Sequence, residues 1–201
     1  MNYLYVDTGA MYRAATLIAL REKISPQDSE KLVQAIEAHK IDLSDGDNET
    51  IALIDGEDVS LEIRTPELTA KIGPVCENPG VRELMGKLQR RIGEKGGAVL
   101  EGRDIGTVIF PDAEVKIYLD ATPEERAKRR WLQLREKGIE TDYEKVLSEL
   151  KNRDKRDKGR KIAPLKAADD AAAIDTTNMT IDEVVGEIVN KVHHWLRSED
   201  N

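Results

Sequence analysis

The stretch Met1-Asn2-Tyr3-Leu4-Tyr5-Val6-Asp7-Thr8-Gly9-Ala10-Met11-Tyr12-Arg13 decides the reading of the fold. Residues 1–6 have strand character, Asp7-Thr8-Gly9 ends the strand, and Thr8 is placed to cap a helix running to about Arg21. Strand, tight loop and helix in immediate succession are the repeating unit of an α/β fold. Downstream the unit recurs. Gly96-Gly97 leads into Ala98-Val99-Leu100, then the loop Glu101 to Gly106, and Val115 to Leu119 reads as another strand. Thr122-Pro123-Glu124-Glu125 supplies a cap, a first-turn proline and a capping-box acid, and Gly138 is a C-terminal stop. A helix from about Tyr143 runs into the charged segment Lys151 to Lys161, and Ala172-Ala173-Ile174 is a last short strand. Thr180-x-x-Glu183 opens a helix with Ile181, Val184, Val185, Ile188, Val192 and Trp195 on one face. This alternation predicts a parallel sheet flanked by helices.

One region interrupts it. After a helix expected to start at Ser25-Pro26, residues 41–60 break into short β-like runs (Ile41 to Leu43, Thr50 to Ile54). Asp45-Gly46 and Asp55-Gly56 punctuate them as turns. Thr65-Pro66 and Asn78-Pro79 then open two further helices. Residues 35–74 are read as an insertion, with 1–34 and 75–201 forming the core.

Composition narrows the classes. The 201 residues are 39 % apolar and 35 % charged, with 39 acids against 31 bases for a net charge of −8. That balance disfavours a protein living on nucleic-acid backbones. No apolar run is long enough to span a bilayer. No secretory leader pattern is present, and the single cysteine, Cys76, cannot form an internal disulfide; the expected compartment is the cytoplasm. His39, His193, His194 and Cys76 have no metal-ligand spacing, so no metal-ligating residue is assigned.

Basic residues are nevertheless concentrated. Seven of the eleven residues from Lys151 to Lys161 are Lys or Arg. Arg126, Lys128, Arg129 and Arg130 precede them, while Arg13, Arg82 and Arg103 lie beside element ends. Strand ends of an open parallel sheet bind ligands, and guanidinium forks suit phosphate. A charge-rich helix is also simply a solvated face. Gly159, between Asp157 and Arg160, suggests a hinge, as a lid over polyphosphate would need (about 151–165).

Several motifs together carry a family resemblance. Asp7-Thr8-Gly9-Ala10-Met11-Tyr12-Arg13, Gly56-Glu57-Asp58-Val59-Ser60, Glu62-Ile63-Arg64-Thr65-Pro66 and Val81-Arg82-Glu83 come first. Gln89-Arg90, Glu101-Gly102-Arg103-Asp104-Ile105-Gly106-Thr107-Val108 and Phe110-Pro111-Asp112-Ala113 follow. Arg153-Asp154, Asp157, Arg160, Ala163-Pro164-Leu165 and Ile174-Asp175-Thr176 complete the order. In this the chain resembles the bacterial cytidylate kinases of the nucleoside monophosphate kinase superfamily. The resemblance implies a P-loop NTPase-like α/β fold, and transfer of the ATP γ-phosphate to CMP or dCMP with Mg²⁺. It also implies a monomer that works on small nucleotides, away from nucleic acid and membrane. By the family pattern the insert enlarges the monophosphate site, and Thr8 and Arg13 lie near the acceptor phosphate. Arg82 and Asp104 contact cytosine, Asp157 holds a ribose hydroxyl, and Arg103, Arg153 and Arg160 surround the phosphates as catalytic groups.

Two departures accompany the match. Gly73 stands where some members place a base-contacting serine, so that contact is expected to be lost or to be supplied by Thr69 or water. The family's first strand and its Gly-Lys-[Ser/Thr] phosphate loop precede the Asp-Thr-Gly motif, and no G-x-x-x-x-G-K-[ST] occurs in these residues. The expectation for a chain beginning at Met1 is weak ATP turnover and a strained fold, from a late-assigned start or a short product. The alternative is a regulatory nucleotide-binding protein that binds CMP with little or no kinase activity.

Overall fold

The structure, a computed structural model, describes residues 3–46 and 50–199. The chain divides into two compact units, Met1–Ile105 and Gly106–Asn201.

In the first unit, β1 (Leu4–Asp7) runs into α1 (Thr8–Arg21), and β1 pairs in parallel with β5 (Ala98–Glu101), Leu4 opposite Ala98 and Asp7 opposite Glu101. Residues 1 and 2 of the expected opening strand lie outside the described residues. Between these strands come α2 (Ser29–Ala38), β2 (Ile41–Asp45), β3 (Thr50–Ile54), β4 (Glu57–Asp58), a 3-10 turn at Glu62–Arg64, α3 (Pro66–Glu77) and α4 (Pro79–Gly93). The expected β-like interruption is a small antiparallel sheet in the order β2-β3-β4. Its β3–β4 turn places Asp55 at φ 52° and Gly56 at φ 86°, the paired positive angles that an Asp-Gly hairpin turn tolerates.

Apolar periodicity explains the packing. In α1 the buried side chains include Ala10, Met11, Tyr12, Ala14, Ala15, Leu17, Ile18 and Ala19, a broad face rich in alanine that lets neighbouring helices approach closely. They join Val6, Leu32, Ile36, Leu68, Val81 and Met85 in one core. Each large apolar side chain buried there contributes about 1.5–3 kcal/mol. The opposite face of the β1–β5 pair carries Tyr3, Tyr5 and Val99, all exposed.

Two helix starts differ from expectation. Asp7, not Thr8, caps α1: its carboxylate accepts from Ala10 N at 3.0 Å, because the Thr8 hydroxyl is committed elsewhere. Asp28, not Ser25, caps α2, accepting from Lys31 N, while the Ser25 hydroxyl turns to Gln27 and Ser25–Asp28 closes as a turn. Thr65 and Asn78 cap α3 and α4 as expected.

The second unit opens on a π-helical turn that begins in the preceding residue (Ile105–Ile109). It continues with β6 (Ile117–Asp120), α5 (Pro123–Glu136), α6 (Tyr143–Gly159), β7 (Ala172–Asp175) and α7 (Ile181–Glu199). β6 and β7 pair in parallel, so the expected parallel strands occur as one pair in each unit. The helices α5 and α6 pack as a hairpin around Trp131. Its indole donates to Thr141 O at 3.0 Å, meets Tyr143 edge-on at 6.4 Å and carries the Arg135 guanidinium over its ring at 4.8 Å. Thr180 and Glu183 form the expected reciprocal capping box. No helix among the described residues is long and apolar enough to cross a membrane.

Candidate active site

Each of the four parallel strands ends in a carboxylate: Asp7, Glu101, Asp120 and Asp175. The sequence-predicted residues fall into two groups, one in each unit: Thr8, Arg13, Arg82, Arg103 and Asp104 in the first, and Arg153, Asp157 and Arg160 at the end of α6 in the second.

In the first unit the Thr8 hydroxyl donates to Glu101 O at 2.6 Å, tying the loop after β1 to the loop after β5. That contact leaves no room for a side chain on the next residue. A Cβ on Gly102 would lie 2.6 Å from Thr8 Oγ1 and 2.8 Å from Ile105. Arg13, one turn into α1, pairs with Asp7 at 3.5 Å and stays partly exposed. Arg103 is exposed in the loop after β5.

Next to it Asp104 is buried, and it meets Arg82 from the first turn of α4: Arg82 donates an N–H to Asp104 Oδ2 at 2.6 Å, with both side chains under 10 % exposed. The α4 start is rigid, since Asn78 accepts from Gly80 N and Val81 N and itself bonds Ser29. A second Arg82 N–H donates to Cys76 O at 3.2 Å, and the guanidinium stands over the Tyr12 ring at 5.7 Å. Arg82 Nε, also buried, meets no acceptor. A buried donor without a partner costs about 1–3 kcal/mol, which a bound acceptor would recover.

Gly73 and Thr69 both lie in α3. The Thr69 hydroxyl is exposed and donates to Thr65 O at 2.9 Å.

In the second unit α6 remains helical through Lys151–Gly159 and ends at Arg160. Asp157 is buried at the end of this helix, accepts from Arg160 and has Arg153 Nε at 3.8 Å. The three residues expected in the lid are thus one ion-paired cluster, with Gly159 marking the helix end.

A separate cavity of about 400 Å³ opens at the carboxyl ends of β6 and β7, against the amino end of α5. Asp120, Thr122, Asp175 and Thr177 line it together with Arg126, Lys151, Lys155 and Lys158. Arg126 grips Asp154 with two N–H donors, at 2.7 and 3.2 Å, and this carboxylate raises the guanidinium pKa further. The basic run is singled out in the sequence; Thr122 reads there as a helix cap and Asp175 as part of a family motif, while Asp120 and Thr177 are not singled out. The parallel strings Leu119-Asp120-Ala121-Thr122 and Ile174-Asp175-Thr176-Thr177 were the available signal.

Among the described residues no three His, Cys, Asp or Glu side chains converge as a metal site. The two groups pair guanidinium with carboxylate, and in each the carboxylate at its centre, Asp104 or Asp157, is buried.

Comparison with known proteins agrees. The family model described as "Cytidylate kinase" matches residues 1–194. The proteins named "Cytidylate kinase" from Bacillus cereus (strain ATCC 10987 / NRS 248), Bacillus thuringiensis (strain Al Hakam) and Bacillus anthracis (strain A0248) are each 45 % identical over 192 residues. Those residues are 96 % of this chain and 85 % of each relative. The regulatory alternative is not favoured by these matches. The ordered motifs, the α/β architecture with parallel strands and helices, and similarity along nearly the whole length place the chain in the cytidylate kinase family.

Proposed function

We propose that this chain transfers the γ-phosphate of ATP to CMP or dCMP, giving CDP or dCDP, and that the Arg82–Asp104 pair recognises cytosine. The observation that carries the reading is that buried pair with its unpartnered Arg82 Nε. Cytosine presents an N4 amine donor beside the N3 and O2 acceptors. Asp104 accepts from the amine, and Arg82 donates to the ring acceptors. Uracil sets a carbonyl against the carboxylate, and hydrogen-bonding sites reject such mismatches strongly.

Thr8 and Arg13 take the acceptor phosphate, in keeping with the affinity of a helix amino end for anions. Asp157 holds a ribose hydroxyl, and Arg103, Arg153 and Arg160 neutralise the transferring phosphoryl group. An oxygen of the monophosphate attacks the γ-phosphorus, the bond to ADP breaks, and the demand on the protein is positioning and charge stabilisation. The basic cavity beyond β6 and β7 receives the donor's phosphates. The described residues offer no carboxylate or imidazole cage for Mg²⁺, so Mg²⁺ would be carried on the phosphates of ATP, where it would neutralise their charge. Residues 35–74 are the insert and 151–165 the lid, and the enzyme works as a cytoplasmic monomer without nucleic acid or membrane partners. The net charge of −8 and the single cysteine support that placement.

A coupled assay with ATP and CMP, dCMP or UMP tests the reading. Diphosphate formation at least tenfold more efficient with the cytosine nucleotides is expected. Equal use of UMP would overturn the base assignment.

A further inference from the structure

Arg82 is the one member of the proposed base reader that must be aimed. Its side chain is long and rotamer-rich, and a guanidinium recognises by the direction of its fork. Three contacts hold that direction: Asp104 Oδ2, which accepts one N–H at 2.6 Å, the Cys76 carbonyl, which accepts another at 3.2 Å, and the Tyr12 ring, whose centroid lies 5.7 Å from the guanidinium carbon. Tyr12 is itself held by α1. It is 9 % exposed, lies one turn beyond Thr8, and its carbonyl accepts from the Thr16 hydroxyl at 2.8 Å. We propose that Tyr12 is a positioning residue for cytosine recognition, its ring face holding Arg82 in the rotamer that keeps its bond to Asp104 and presents the Nε–H to the base.

The proposal rests on the assignment of Arg82 and Asp104 to the cytosine ring and adds a requirement to it. The ring contributes through its electrons, because a cation is attracted to the negative face of an aromatic quadrupole and the attraction grows as water is excluded. Losing it lets Arg82 populate rotamers that cannot bind. Apparent affinity for the base then falls by the fraction of time spent in them. Groups that recognise only phosphate or ribose are untouched by this change.

Titration calorimetry of the full chain with CMP, UMP and ribose 5-phosphate provides the test, using position-12 variants that keep the shape of the ring. Tyr12→Phe is expected to bind CMP within about twofold of the parent. Replacing that phenylalanine by analogues with one, two and three ring fluorines withdraws electron density stepwise. CMP binding is expected to weaken in the same order, reaching about fivefold with three fluorines, while ribose 5-phosphate binding stays constant. Tyr12→Leu, which removes the ring, is expected to weaken CMP at least as much and to lower the CMP-to-UMP ratio. A ring acting only as packing predicts a flat CMP series, or equal losses for CMP and ribose 5-phosphate, and either result overturns the proposal. Asp104→Asn run in parallel separates the two levels. If it leaves the CMP-to-UMP ratio unmoved, the base assignment itself fails and takes the role of Tyr12 with it. If it shifts the ratio while the fluorine series is flat, only the role of Tyr12 fails.

Discussion

The two units are built on the same motif, a pair of parallel strands ending in carboxylates, yet they are held together differently. The first buries a continuous apolar cluster that includes Met11, Leu32, Ile36, Ile63, Leu68 and Met85. Among the described residues of the second, the buried apolar side chains are Ile109, Ala121, Ala127, Val146, Ala163 and Ile174, none larger than isoleucine. Its helices α5 and α6 are joined instead by charge, Arg126 to Asp154 and Lys151 to Glu124, and Arg129 ties α5 to Thr176 at the end of β7. Under the proposed function the packed core of the first unit would supply the fixed geometry that base recognition needs. The charge-rich second unit would offer phosphates cations that can exchange partners. Weakly packed regions open most readily, and moving elements are drawn from them.

The comparison breaks most sharply at two aspartates, each paired with an arginine. Asp104→Ala strands a buried guanidinium and is expected to cost about 3–5 kcal/mol of stability. It should also weaken CMP by more than tenfold relative to inorganic phosphate. Asp154→Ala removes a pair whose arginine is 30 % exposed, and a loss of about 1 kcal/mol or less is expected. Denaturant titration of both variants, with calorimetry for the ligands, decides the matter. Equal stability losses would erase the distinction between the units.

Packing gives a second test of the same contrast. Ile36→Ala, in the centre of the first unit, is expected to lose about 2–5 kcal/mol, and Ile174→Ala, in the second, to fall at the low end near about 2 kcal/mol. Thermal unfolding followed by near-ultraviolet circular dichroism reads both.

Much of this organisation was legible in the sequence because it is locally encoded. The proline-opened helices at Thr65-Pro66, Asn78-Pro79 and Thr122-Pro123, the Asp55-Gly56 turn and the Thr180–Glu183 box need only neighbours within a few residues. What escaped was set by distant partners. Thr8 reads as a helix cap until Glu101, ninety-three residues away, takes its hydroxyl and leaves the cap to Asp7. Tyr12 sits inside a recognised motif, but nothing nearby in sequence says that its ring meets Arg82. The cavity beyond β6 and β7 depends on bringing Asp120 beside Asp175, a register that neither segment encodes alone.

Helix caps carry the contrast at smaller scale. Asn78 is buried, accepts two backbone N–H groups and bonds Ser29. Thr122 caps α5 with a single contact to Glu125 N at 3.3 Å, in an exposed position. Asn78→Ala is expected to cost near about 2 kcal/mol and Thr122→Ala near about 0.5 kcal/mol, the two ends of the range for lost caps. Because Asn78 also anchors the turn that bears Arg82, its loss should weaken CMP as well. Thr122→Ala should leave CMP binding unchanged in the same titration.

The smallest effect is a pH dependence confined to the first unit. His39, at the end of α2, is bonded through Nδ1 to Asp55 and through Nε2 to Glu22 at 2.7 Å, so its protonated form donates on both sides. The hydrogen bond to Asp55, followed by that to Glu22, raises the imidazole above its ordinary value of 6.5. Asp55 is lowered in turn, chiefly by His39 and then by Lys40 N. A group raised on folding adds stability in full below its unfolded value and loses it as pH climbs through the folded one. The His39 contribution is therefore complete below about pH 6.5 and fades above it, whereas that of Asp55 is lost only in acid. Lys40, which follows His39 in sequence, is held charged by its own hydrogen bond to Asp42, which raises its ammonium pKa. The denaturation midpoint of the parent should drift downward as pH rises from the neutral region, and His39→Gln should flatten that drift. A parent and variant with parallel profiles would show that the two carboxylates hold the end of α2 without help from the proton.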